Sequence, residues 1–215
     1  MENIDVIIQI LEKETKSYIV PIVTKISKAR NPFKVLISCL LSLRTKDQVT
    51  AEASVKLFLL ADTPEKMQKL SAAHIEKAIY PVGFYKTKAK RIKEICRTLT
   101  EIYGGNTPDE IDELLKLKGV GRKTANLVVT LGYGKLGICV DTHVHRISNR
   151  LGFIKTKTPE QTEFALRKIL PEKYWIIYND LLVSYGQNVC RPISPKCSNC
   201  KLFKYCRRVG VEKFR

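Results

Sequence analysis

Apolar residues recur along most of this chain at three- and four-residue spacing, as in Ile92, Ile95, Cys96 and Leu99. Strict alternation of apolar and polar residues, the mark of strands, is nearly absent. The pattern predicts helices over 32–43, 47–60, 72–79, 87–103, 122–132, 142–150 and 173–186, with an amphipathic helix from Val6 to Leu11. Thr-Pro-acidic triplets at Thr63-Pro64-Glu65, Thr107-Pro108-Asp109 and Thr158-Pro159-Glu160 predict further helix starts. Each offers an oxygen acceptor at the N-cap, a ring without an N–H at the first helical position, and a carboxylate near the positive helix end. Thr158 with Gln161 also fits a capping box. Connections are short and carry Gly, Asn or Pro, as at Gly83, Gly104-Gly105-Asn106 and Gly132-Tyr133-Gly134. The fold class is therefore all-α. No low-complexity linker interrupts the chain, so a domain boundary falls in an ordinary loop.

At 215 residues the chain can bury a core in one domain or in two small ones. No apolar run is long enough to span a bilayer, and the acidic start Met1-Glu2-Asn3-Ile4-Asp5 has the wrong charge for a secretory signal. The expectation is a soluble intracellular protein with no membrane partner. Charge then narrows the class: 38 basic residues stand against 21 acidic ones, a formal +17. Such an excess repels itself, and a polyanion would relieve it. A lysine-rich surface serving solubility is the plain alternative. The basic residues are spread along the chain, which suits a folded nucleic-acid-binding face better than a basic arm.

The most informative stretch runs from Leu114 to Asn126, where one apolar helix enters Gly119-Val120-Gly121 and a second starts at once with Arg122-Lys123-Thr124. Two glycines around a β-branched residue permit a tight turn and close approach of another molecule. Val120 can fill the gap between the helices, while the unpaired N–H groups of the second helix suit a phosphate oxygen. A simple helix–helix turn also uses glycine. The basic pair that comes next favours phosphate and the helix-hairpin-helix pattern, which grips a DNA backbone without reading sequence.

Lys123 sits in the first turn of that second helix, where the positive helix end disfavours a cation. The same potential, with Arg122, is expected to lower the amine's pKa and supply neutral nucleophile. Lys123 could equally be a second phosphate clamp. The next apolar run ends in Ile138-Cys139-Val140-Asp141-Thr142-His143. Asp141 could be an N-cap or a carboxylate aimed at a sugar, and residue chemistry leaves the choice open. His143 and His145 are two apart, so they face different sides of a helix and make a poor metal pair.

Seven cysteines are unevenly placed. Cys39, Cys96 and Cys139 sit singly in apolar runs and read as core residues. The tail reads Cys190-x6-Cys197-x2-Cys200-x5-Cys206, a cluster that in an intracellular chain points to metal before disulfides. Tetrahedral zinc and an iron–sulfur cluster both take four thiolates.

The hairpin from Leu117 to Leu127, followed by Val140-Asp141-Thr142-His143, closely resembles the endonuclease III family of DNA glycosylase/AP lyases. The resemblance covers the chain from about residue 30 to Cys206. It implies two packed helical domains with DNA across the cleft between them: a six-helix domain at 25–135 carrying the helix-hairpin-helix, and a second formed by 1–24 and 136–215, stapled by the cluster loop. In that family the hairpin lysine is the Schiff-base nucleophile and the aspartate after the apolar run assists, roles that fall here on Lys123 and Asp141. The 6-2-5 cysteine spacing is the family's [4Fe–4S] signature, which assigns Cys190, Cys197, Cys200 and Cys206 as ligands. The implied activity is removal of oxidised pyrimidines from double-stranded DNA and cleavage at abasic sites, by a monomer located in the cytoplasm or at the nucleoid. A monofunctional mismatch glycosylase on the same scaffold usually lacks an amine at the position of Lys123.

The resemblance extends to the DNA contacts. Gly119, Val120, Gly121 and Arg122 would fix the backbone, and His143, Arg191 and Lys196 would add contacts. Ser42–Asp47 and Val82–Ala89 resemble the family's DNA-inserting loops. Phe84 would be an apolar wedge beside Tyr85, with Lys86 and Lys88 on phosphate. Two departures stand out. Lys118 replaces the usual proline before Gly-Val-Gly, and Arg44 stands where glutamine usually fills the vacated space. Arginine can stack on or hydrogen-bond the orphan base, which bears on opposite-base preference. Asp47 reads as a helix cap.

Overall fold

Proline opens several helices of this chain, its ring preset for helical φ and its missing N–H of no consequence in a first turn. A computed structural model describes residues 3–18, 23 and 30–215. Helix α1 is Ile4–Thr15, α2 Pro32–Ser42, α3 Asp47–Leu60, α4 Pro64–Lys69, α5 Ala72–Ile79, α6 Tyr85–Tyr103, α7 Ile111–Lys116 and α8 Arg122–Leu127. A π-helical turn, Val128–Gly132, continues α8; beyond it lie α9 Thr142–Leu151, α10 Pro159–Ile169 and α11 Trp175–Asn188. Short 3-10 turns lie at Glu172–Tyr174, Cys197–Asn199 and Phe203–Tyr205. No strand occurs among the described residues.

The chain divides into two compact units, one of Ile22–Gly137 and one of Met1–Pro21 with Ile138–Arg215. In the first, α6 lies along α4 and α5, and α2 packs on α3, α8 and the π turn. Its core is built from Leu36, Ile37 and Leu41 of α2, Leu57 of α3, Met67 of α4, Ile75 and Ile79 of α5, and Ile92, Ile95 and Leu99 of α6. The second unit closes Ile4, Ile7, Ile8 and Leu11 of α1 over Val144, Ile147 and Leu151 of α9, Leu166 of α10, and Tyr178, Leu182 and Tyr185 of α11. The buried Tyr178 hydroxyl is satisfied at 3.1 Å by Ser148 Oγ.

Two of the three Thr-Pro-acidic triplets cap helices as their chemistry predicts. Thr63 accepts the Lys66 N–H and Thr158 the Gln161 N–H. The Gln161 side chain reaches back one residue further than a capping box requires, taking the Lys157 N–H at 2.9 Å. The third triplet does not open a helix. Thr107-Pro108-Asp109 lies outside any helix, and α7 begins at Ile111 behind Glu110. Later residues hold the segment: the Tyr133 hydroxyl donates to Thr107 O, and Lys135 Nζ bridges Asp109 at 2.9 Å and Glu110 at 2.7 Å. Tertiary partners here override a local helix-start signal. At α3, Asp47 is the first helical residue, and Lys46 occupies the N-cap without a side-chain bond.

The helix expected over 122–132 changes character midway. Thr130 Oγ1 donates to Asn126 O at 2.7 Å, and the backbone widens to a π turn that ends on Gly132. There a Cβ would stand 2.9 Å from Pro32 Cα and 3.1 Å from Pro32 Cβ, so the start of α2 rests directly on the glycine backbone. Gly132→Ala should therefore destabilise the protein by about 1–3 kcal/mol through overpacking, read as a lower Tm in a thermal melt. An unchanged Tm would show that α2 can give way at no expense.

Candidate functional site

The hairpin between α7 and α8 is built from backbone geometry. Leu117 donates its N–H to Leu114 O at 3.1 Å, and the Val120 N–H returns to Leu117 O at 3.0 Å. Gly119 turns the chain at φ +84°, a conformation that strains any L side chain, and Val120 is buried beneath the turn. Gly121 is the extended N-cap of α8, its carbonyl accepting the Ala125 N–H at 2.9 Å. The first-turn N–H groups of α8 thus begin directly behind two glycines, with half-buried Arg122 and exposed Lys123 on that same turn. Lys123 lies near the buried Cys39 thiol, which burial pushes up to about 12 against the pull of the lysine's charge. Lys118, in place of the family's proline, reaches Glu94 at 3.6 Å. Arg91 is a residue the sequence does not single out. Its side chain lies 3.0 Å from where a Gly119 Cβ would be, and it pairs with Glu94 at 2.7 Å. Nothing in a helical Arg-x-x-Glu distinguishes it from an ordinary surface pair.

Arg91 and Gly119 line an open depression together with Leu43, Arg44, Phe84 and Lys88. Arg44 and Phe84 are both exposed and both left-handed, at φ 53° and 59°. The guanidinium carbon lies 5.7 Å from the Phe84 ring centroid. Tyr85 is half-buried and packs edge-on against Tyr80 at 5.4 Å. Lys88, expected on phosphate, is instead buried. Its ammonium donates to Leu41 O at 2.8 Å, Leu43 O at 2.6 Å and Thr45 Oγ1 at 3.2 Å. Burial pulls its pKa down to about 8. The ammonium's three N–H donors are thereby directed at protein oxygens, so the phosphate contact expected of Lys88 is corrected.

In the other unit, Asp141 is the N-cap of α9: its Oδ1 accepts the His143 N–H at 2.8 Å and the Val144 N–H at 2.9 Å. The cap fixes the carboxylate relative to the helix axis. His143 packs against bare backbone, since a Cβ on Gly186 would meet its Nδ1 at 2.3 Å, and that nitrogen also faces Arg146 Nη2 at 3.0 Å. His145 points elsewhere, to Thr162 Oγ1 at 2.7 Å. The two histidines diverge as their spacing requires.

The four tail cysteines line one pocket, with Tyr185, Leu202 and Arg150 in its wall. The Tyr185 hydroxyl meets Cys200 Sγ at 3.1 Å, the Arg208 N–H meets Cys206 Sγ at 3.4 Å, and Arg150 Nη1 lies 3.5 Å from Cys190 Sγ. Donors around sulfur stabilise thiolates that bind metal. Burial raises the Cys197 and Cys206 thiols above their usual range, and the neighbouring cysteines raise them further. Among the described residues no three His, Cys, Asp or Glu side chains converge as they would on a single ion. Beside the pocket, Arg191 is exposed and Lys196 half-buried, with Arg150 Nη1 bonded to Arg191 O at 2.7 Å.

Comparison with known proteins places these features in a family. Residues 37–172 match the model of the HhH-GPD superfamily base excision DNA repair proteins. Endonuclease III of Thermotoga maritima is 50% identical over 191 residues, spanning 87% of this chain and 90% of that protein. A non-covalent endonuclease III–DNA complex has a similar structure, with TM-score 0.84 at 34% identity, covering 96% of this chain and 95% of that one. A trapped endonuclease III–DNA covalent intermediate, an estranged-adenine complex, matches at TM-score 0.77 and 38% identity, covering 83% and 84%. No helix among the described residues is long and apolar enough to cross a membrane.

Since Asp141 caps α9 through one oxygen, Asp141→Ala should lower stability by about 1 kcal/mol, whereas Asp141→Asn, which keeps an acceptor, should stay within a few tenths. Equal losses in a denaturant titration would show that the cap contributes nothing by itself.

Proposed function

We infer that this chain, which belongs to the HhH-GPD superfamily of base excision DNA repair proteins and to its endonuclease III branch, is a bifunctional DNA glycosylase/AP lyase. Its substrates on this reading are oxidised pyrimidines and abasic sites in double-stranded DNA, handled by a monomer at the nucleoid. The observation that carries the reading is the hairpin: left-handed Gly119, buried Val120, and Lys123 exposed in the first turn of α8. Such a turn presents backbone N–H groups to a phosphate and a side-chain amine to the adjoining sugar.

In the proposed reaction, the amides of Gly119 and Gly121 hold the backbone with Arg122 while the damaged nucleotide leaves the stack. Arg44, Phe84 and Tyr85 occupy the vacated space, and His143, Arg191 and Lys196 add polar contacts. Lys123 Nζ, as the neutral amine, forms a bond to C1′ as the bond from C1′ to the base breaks. Asp141 accepts the amine's proton or stabilises positive charge on the sugar. Ring opening gives the Schiff base, which acidifies C2′; loss of that proton expels the 3′ phosphate by breaking the C3′–O bond. Hydrolysis of the imine then frees Lys123. The domains proposed are 25–135, with the hairpin, and 1–24 joined to 136–215, with the metal centre.

Cys190, Cys197, Cys200 and Cys206 suit a [4Fe–4S] cluster, whose contribution when bound is to hold a loop-rich tail folded.

Borohydride trapping on abasic DNA tests the chemistry, because only an imine becomes a permanent crosslink. Lys123→Gln should abolish trapping while DNA affinity falls only about as much as one lost phosphate contact implies; persistent trapping would reveal another nucleophile. The purified protein should be brown, and metal analysis should find about four irons per chain. Zinc in aerobic and anaerobic preparations alike would overturn the cluster.

A further inference from the structure

Lys88 is the buried ammonium of this unit that the proposed chemistry leaves without a task. It has no carboxylate among its bonded partners; all three are neutral oxygens, and two of them, Leu41 O and Leu43 O, lie at the C-terminal end of α2. A helix C-terminus carries partial negative charge and exposes carbonyls that need donors, so the amine both completes the helix and is held by it. The third partner, Thr45 Oγ1, is a junction. It donates to Leu43 O at 3.2 Å and accepts from both Lys88 Nζ and the Gly83 N–H, each at 3.2 Å. Gly83 in turn lies so close that a Cβ there would meet Arg44 O at 2.7 Å.

These contacts join the two exposed loops at their bases. One loop ends on Arg44 and the other on Phe84, each in the left-handed region without glycine's freedom. Conformations of that kind persist only where surroundings over-determine them. The buried amine, the threonine hydroxyl and the glycine backbone are those surroundings, and above them Arg44 is stacked over Phe84.

We propose that Lys88 is a positioning residue: it ties the Arg44 and Phe84 loops into one preformed wedge, so that base extrusion depends on it far more than strand cleavage does. The inference rests on the glycosylase/lyase reading. A damaged base must be pushed out of the stack, whereas an abasic site has no base to evict, so a loosened wedge should penalise only the first.

The test uses the full-length protein in single-turnover assays on two duplexes, one carrying an oxidised pyrimidine and one a preformed abasic site. Lys88→Met removes the ammonium and keeps most of the stem. Thr45→Val removes the junction without burying an unpaired charge, and it covers the case in which Lys88→Met does not fold. In each folded variant, base release should fall about tenfold or more while abasic-site cleavage stays within about threefold of wild type. A parallel loss in both assays, or no loss in either, would overturn the positioning role, since a general structural defect moves both rates together. If the wild-type protein cleaves abasic DNA but releases no oxidised base, the glycosylase reading fails and this inference with it.

Discussion

A helix can point its first N–H groups at a phosphate only if the chain entering it stays out of the way. Here that constraint is met by Gly119-Val120-Gly121. One glycine turns the backbone, the valine fills the space beneath, and the second glycine caps α8 without a side chain of its own. The placement of Lys123 depends on this turn. Thr124, Ala125, Asn126 and Leu127 are all buried immediately after the exposed lysine, so Lys123 emerges from a packed surface rather than from a loop. Two close backbone approaches extend the arrangement: α2 rests on Gly132, and the side chains of Thr130 and Asn126 crowd Gly137. The hairpin and the packing of α2 share one set of contacts.

The second unit uses capping to similar effect. Asp141 makes the cap expected of an aspartate before a helix, and that bond also fixes the direction of its carboxylate. Capping and chemistry are therefore not rival explanations of this residue. A group held by two backbone donors loses little freedom on meeting a substrate, which is what a preorganised site requires.

Much of this was legible in the residues. The helical period located the core, and proline starts and threonine caps marked α4 and α10. The cysteine spacing marked four residues that line one pocket. What escaped the sequence was tertiary. Thr107-Pro108-Asp109 has the chemistry of a helix start, but it lies outside any helix and is tied to Tyr133 and Lys135. Lys88 reads as one lysine among several in a basic run, yet a signal was present. With Ile92, Ile95 and Leu99 it falls on the buried stripe of α6, where a solvated lysine does not belong. Thr45 gave no such signal, since its role depends on a loop some forty residues away.

Arg44 and Phe84 illustrate how a protein can be held short of its most stable sequence. At left-handed positions an asparagine or glycine is more comfortable by about 1–3 kcal/mol than a residue forced there by its neighbours. Selection for heat resistance alone would therefore drift toward those small residues at both loop tips. The products would be sturdier molecules with blunted tips. Arginine and phenylalanine at those tips therefore carry a cost in stability that glycine would not.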